Sequence, residues 1–125
     1  MKGLIIDTAG KEALVALVEE EKVIRQQTWQ ADKELGLKML EAIQALLEEG
    51  GVNPGDLGRI GVVVTAKDRY MGLRTGISVA NALSLGWRIP IVELESGPIE
   101  TIIIQLLSNN VKEVAQAQYL DENTP

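Results

Sequence analysis

The chain has no cysteine and no histidine among its 125 residues, so it offers neither a thiolate nucleophile nor an imidazole base. The commonest ligands of transition metals are missing with them, which excludes zinc hydrolases and triad hydrolases. Carboxylates, hydroxyls, amines and backbone amides are the chemical groups that remain. Phenylalanine is absent and aromatics make up only 3 %, too few for a surface on which nucleic-acid bases stack. Cations are in the minority, 12 Lys and Arg against 18 Asp and Glu, and a net charge of −6 is the wrong sign for holding a polyanion unaided. Long apolar runs are missing too: Leu4-Ile5-Ile6 is interrupted by Asp7, and nothing approaches the roughly 18 residues that cross a bilayer. The expectation is a soluble, cytoplasmic protein. What the chain does have is aliphatic bulk, 46 % hydrophobic residues, enough for one compact domain and too little for two.

Three short stretches rich in Val, Ile, Leu, Thr or Trp read as strands: Gly3 to Thr8, Ala13 to Glu19 and Lys22 to Trp29. The links between them, Ala9 to Glu12 and Glu20-Glu21, are polar, and Gly10 can take a positive φ, so an antiparallel meander is expected. The Glu19-Glu20-Glu21 run reads as a polar hairpin tip that keeps an edge soluble. From Asp32, a candidate N-cap, the period changes. Leu35, Met39, Leu40, Ile43, Leu46 and Leu47 recur at helical steps, and Gly50-Gly51 with Pro54 gives the stop. Arg59 to Thr65 is continuously apolar and β-branched, as a central strand covered on both faces would be. After a polar loop, Ala66 to Tyr70, a helix is expected over Gly72 to Leu85 and ended by Gly86, with Gly72, Gly76 and Ala80 forming a small-residue stripe. A short strand, Ile89 to Leu94, and a third helix, Ile99 to Leu107, stopped by Asn109-Asn110, follow. Val111 to Leu120 reads as strand or short helix, and Asp121 to Pro125 as a frayed tail. The order β-β-β-α-β-α-β-α predicts an α/β domain with a five-stranded mixed sheet and right-handed crossovers. Neither GxGxxG nor GxxxxGK[ST] is present, so the dinucleotide and P-loop readings have no motif.

Asp7, at the end of the first strand, has two readings: a turn-forming residue whose oxygen bonds the next amides, or a carboxylate beside metal-bound phosphate. The loop before Gly72 carries Ala66, Lys67 and Asp68, where a phosphate cradle needs small residues of free φ. Lys67, Asp68 and Arg69 with Arg74 form either a solvated loop or a small basic patch. Trp29 and Trp87 are either interface anchors or packing residues.

Ile5-Ile6-Asp7-Thr8-Ala9, Val15-Ala16-Leu17, and Gly72-Leu73-Arg74-Thr75-Gly76-Ile77 followed by Ala80-Asn81-Ala82-Leu83 resemble the TsaB (YeaZ) family in order and spacing. The family's Gly-Pro-Gly-Ser-Phe-Thr-Gly-Leu-Arg run corresponds here to Ala66 through Arg74, matching in its second half, with Tyr70 for Phe. Leu35 stands where the family tends to carry histidine. The resemblance implies an actin-like (ASKHA, ribonuclease H-like) single lobe over residues 1–110, with 111–125 as an extension or the remnant of a second lobe. It also implies a non-catalytic scaffold that joins a TsaD-like transferase, and a TsaE-like ATPase, in making threonylcarbamoyladenosine on tRNA. On this reading the chain pairs with its partner, or with itself as a homodimer, through its first two helices. The interface candidates are Leu37, Met39, Leu40, Gly72, Leu73, Arg74, Gly76, Ile77 and Ala80. tRNA is met only through the complex, no membrane is involved, and the chain needs no cofactor of its own. The alternative is an actin-like nucleotide-binding protein or ATPase that holds ATP and magnesium with Asp7, Thr8 and the loop before Gly72, in the complex at a shared site. A proteolytic role has neither histidine nor cysteine to carry it.

Overall fold

The computed structural model describes residues 1–31, 34–66 and 71–119. The meander forms as the sequence predicts: β1 (Lys2–Asp7), β2 (Glu12–Glu19) and β3 (Lys22–Gln30) pair antiparallel. Its left-handed turn residue is Glu20, with φ 54°, in the β2–β3 turn, whereas Gly10 in the first turn keeps an ordinary φ. Helix α1 (Leu35–Gly50) leads through a single 3-10 turn at Pro54–Asp56 into β4 (Leu57–Val63) and the short β5 (Thr65–Ala66). Helix α2 (Met71–Trp87), β6 (Ile91–Leu94), α3 (Ile99–Ser108), β7 (Val111–Lys112) and β8 (Gln118–Tyr119) complete the order. The main sheet runs β3-β2-β1-β4-β6-β7, with β4 parallel to both β1 and β6. The five expected strands are therefore joined by a sixth, two-residue edge strand, and β5 and β8 form a separate parallel pair.

Because successive strand residues point to opposite faces, the sheet sorts its side chains into two cores. Leu4 and Ile6 of β1, Val15 and Leu17 of β2, and Ile60 and Val62 of β4 meet α1 and α2 on one side. Ile5, Ala16, Val63, Val92 and Leu94 meet Ile102, Ile103 and Leu106 of α3 on the other. β4 is thus covered on both faces, as its unbroken apolar run predicts. Two glycines set the depth of α3. A Cβ at Gly3 of β1 or at Gly61 of β4 would each stand 2.7 Å from a methyl of Leu106, so that side chain sits in a notch open only because both positions lack one.

The two helices on the first face end alike but with different residues. Gly51 closes α1 at φ 65°, with Val52 N–H donating to Leu47 O at 2.9 Å, as the Gly50-Gly51 pair predicts. α2 does not end at Gly86. It continues through that exposed glycine to Trp87, and Arg88 takes the left-handed position at φ 57° while Ile89 N–H reaches back to Ser84 O at 3.0 Å. The candidate N-cap Asp32 lies outside the described residues.

Candidate functional site

Two regions hold the residues that the sequence singles out, and the structure treats them differently. The first is the carboxyl end of β1 and β4, where parallel strands of an α/β sheet place ligand sites. Thr8 follows β1 and is fully buried, and its Oγ1 donates to Gly72 O at 2.7 Å in the first turn of α2. One turn on, a Cβ at Gly76 would lie 2.0 Å from that same Oγ1. A Cβ at Gly72 would approach Leu35 Cδ2 at 3.1 Å and Thr8 O at 3.2 Å. The small-residue stripe is therefore explained within the chain: it lets α2 lie directly on the end of β1. Gly76, Leu73, Ile77, Ala80 and, on α1, Met39, expected at a partner-facing surface, are buried against the chain's own sheet and helices. The physical reason is that periodicity reports a close neighbour without saying whether that neighbour is the chain's own sheet. Arg74 is the exposed residue among the α2 candidates, and Gly72 is half-buried.

Asp7 is half-buried, and its Oδ1 accepts the Ala9 N–H at 3.1 Å, which is the turn-forming arrangement. Burial pushes its carboxyl above the usual aspartate range, and the Ala9 hydrogen bond opposes that only in part. Thr8, expected beside it as a nucleotide contact, instead directs its hydroxyl at Gly72. Nearby, Thr65 Oγ1 accepts the Ser96 N–H at 2.9 Å, tying β5 to the loop that enters α3. Lys67, Asp68, Arg69 and Tyr70 lie outside the described residues. No cluster of three or more Asp or Glu that could hold a metal ion occurs among the described residues.

The second region is the outer surface of α1. Leu37 is 61 % and Leu40 47 % exposed, and they share a stripe with the exposed Glu41, Gln44 and Glu48. Below Leu40 a groove of about 540 Å³ opens between the C-terminal halves of α1 and α2, lined by Ile43, Leu47, Leu83 and Trp87 among others. Trp87 is half-buried there. Trp29 packs against the same core from β3, with its indole Nε1 buried and without a hydrogen-bond partner among the described residues. Sequence reasoning missed this groove, because it depends on how far apart two helices stand, and only the two apolar faces were visible. It also missed Asn81. That residue sits half-buried in mid-helix, a position where a short polar side chain signals a partner off the helix.

No helix among the described residues is long and apolar enough to cross a membrane. No family model matches the chain. It is 31 % identical over 99 residues to the tRNA threonylcarbamoyladenosine biosynthesis protein TsaB of Bacillus subtilis (strain 168), a match covering 79 % of this chain and 42 % of that protein. The chain thus spans about two fifths of the length of the curated relative it matches. Among solved structures, YeaZ from Pseudomonas aeruginosa superposes with a TM-score of 0.67 at 21 % identity, covering 75 % of this chain and 43 % of that one. RuvC of Thermus thermophilus follows the same fold more distantly, with a TM-score of 0.51 at 10 % identity over 76 % of this chain and 64 % of that one. The fold is that of one actin-like, ribonuclease H-like α/β lobe. Over the stretch that aligns, the chain belongs to the TsaB (YeaZ) family.

Proposed function

We propose that this chain is a non-catalytic, partner-binding lobe in the formation of threonylcarbamoyladenosine on tRNA, holding a TsaD-like transferase through the outer surface of α1. The observation that carries the reading is the exposed pair Leu37 and Leu40 on the outer face of α1, with Leu40 at the rim of the apolar groove between α1 and α2. Large aliphatic side chains kept in water beside a groove are costly unless something covers them. The likeness to a TsaB protein supplies the pathway. The composition supports a supporting role, since a chain without histidine or cysteine has few groups for acyl-transfer chemistry. On this reading a TsaE-like ATPase joins the pair, tRNA is reached through the complex, and the free chain self-associates by the same surface.

Size-exclusion chromatography with light scattering, on the chain alone and mixed with the TsaD-like protein of the same genome, tests this. The expected result is a homodimer that converts to a mixed complex. A monomer that ignores the transferase at micromolar concentration, while that transferase modifies tRNA equally well unaided, overturns it.

One observation favours the second reading, an actin-like nucleotide-binding protein or ATPase: Asp7 is a half-buried carboxylate at the carboxyl end of β1. Calorimetric titration with ATP and magnesium separates the two. Heat that disappears in Asp7→Ala selects the nucleotide reading, and its absence in the native chain removes it.

A further inference from the structure

After α3 the chain does not trail away. Residues 111 and 112 pair antiparallel with Val92 and Ile91 of β6, and the segment 113–119 then runs along α2 and the edge of β6 to β5. The bonds that hold this segment share one property. Asn81 Nδ2 donates to Ala115 O at 3.0 Å while Ala115 N–H donates to Asn81 Oδ1 at 2.8 Å. Gln116 N–H donates to Glu93 Oε2 at 2.9 Å, and Gln118 N–H donates to Val64 O at 2.7 Å before Gln118 and Tyr119 pair parallel with Thr65 and Ala66. Every one of them ends on a main-chain atom of the segment.

A primary amide that offers one donor and one acceptor to the N–H and C=O of a single residue does what a neighbouring strand would do. Asn81 therefore gives the segment, from α2, a one-residue substitute for a neighbouring strand. The side chains of the segment alternate as a strand's do: Ala115 is buried, Gln116 exposed, Ala117 half-buried and Gln118 exposed. Both inward residues are alanines, and both join the core that α1 and α2 cover. Recognition of main chain, with small pockets for alternate side chains, is how sheet edges bind extended peptides.

We propose that the channel between α2 and the outer edge of β6, closed by β5, is a slot for an extended peptide with small side chains two residues apart, which residues 113–119 occupy in cis. The slot reads backbone through Asn81, Glu93 and Val64, and it reads side chains only by the room it leaves at 115 and 117. None of its three backbone-reading groups belongs to the groove beneath Leu40, so it stands whether or not the α1 surface binds a transferase.

The test uses the full chain carrying Ala115→Pro, which lacks the N–H that Asn81 accepts, and a labelled peptide spanning Lys112 to Tyr119 read by fluorescence polarisation. A tethered occupant lowers apparent affinity by the fraction of time it fills the site, so the peptide binds Ala115→Pro at least about tenfold more tightly than the native chain. Adding Asn81→Leu abolishes that binding, as does a peptide with leucine at both alanine positions. Gln118→Pro, which loses the bond to Val64, gives the same pattern if Ala115→Pro does not fold. Amide exchange across residues 116–119 reports whether the segment has let go. A released segment with no peptide binding, binding that survives Asn81→Leu, or a segment that stays protected in both proline variants overturns the proposal.

Discussion

The inner face of α2 and the outer face of α1 carry the same kind of signal in sequence and opposite roles in structure. Gly72, Gly76 and Ala80 repeat at helical spacing and turn inward onto Thr8 and the end of β1. Leu37 and Leu40 repeat at helical spacing and turn outward. Small residues mark where backbone must come close, and in a single lobe the nearest backbone is the chain's own. Bulky aliphatic residues left outside mark surface that nothing among the described residues covers. On the proposed reading the aliphatic pair meets the partner, and the stripe is part of what holds α2 in place.

The largest effect expected from breaking this comparison is at Gly76. Leucine there must displace Thr8, whose Oγ1 lies 2.0 Å from where the Cβ would be, and overpacking of this kind costs on the order of 3 kcal/mol. Urea unfolding should show a large fall in the midpoint, with any loss of association following from the loss of fold; a variant of native stability that no longer associates would restore the stripe as an interface. Leu37→Asp is the converse. Stability should change by no more than about 1 kcal/mol, since the side chain is exposed, while the affinity for the TsaD-like partner falls about tenfold or more. Binding unaffected by a charge at that position would move the interface elsewhere.

The smallest effect sharpens the inner half of the comparison, because Asp7 adjoins the sealed Thr8. Its carboxyl holds a proton more tightly in the folded than in the unfolded chain, so the unfolded state binds fewer protons between the two. Stability contributed by this group is accordingly lost as pH rises from the ordinary aspartate value, about 4, through the raised one, above which the full cost is present. Asp7→Asn keeps an acceptor for Ala9 N–H and removes the buried charge. Its melting temperature should exceed that of the native chain at pH 7, and the gain should vanish in acid below about pH 3.

Most of the fold was legible because it follows from period. The meander, the buried β4 and three amphipathic helices each announce themselves in a window of a dozen residues. What was not legible depends on partners distant in the chain. Two-residue strands such as β7 and β8 have no pattern of their own and exist only because β6 and β5 present unpaired edges. The end of α2 was misplaced at Gly86 because the left-handed residue that closes it is Arg88, a type that rarely takes that conformation. The site was legible in part: Leu37 and Leu40 were named from sequence and are exposed, while Met39, one residue away, faces the core. The groove beside Leu40 depends on the separation of two helices, which no local pattern encodes.

The notch that Gly3 and Gly61 leave for Leu106 also bears on how this sequence can drift over generations. Three positions far apart in the chain share one volume, so they form a single unit of inheritance. A lineage that acquires a methyl at position 3 must re-seat or shrink the side chain at 106, and one that acquires it at 61 must do so at both 94 and 106, so substitutions at these positions should tend to occur together.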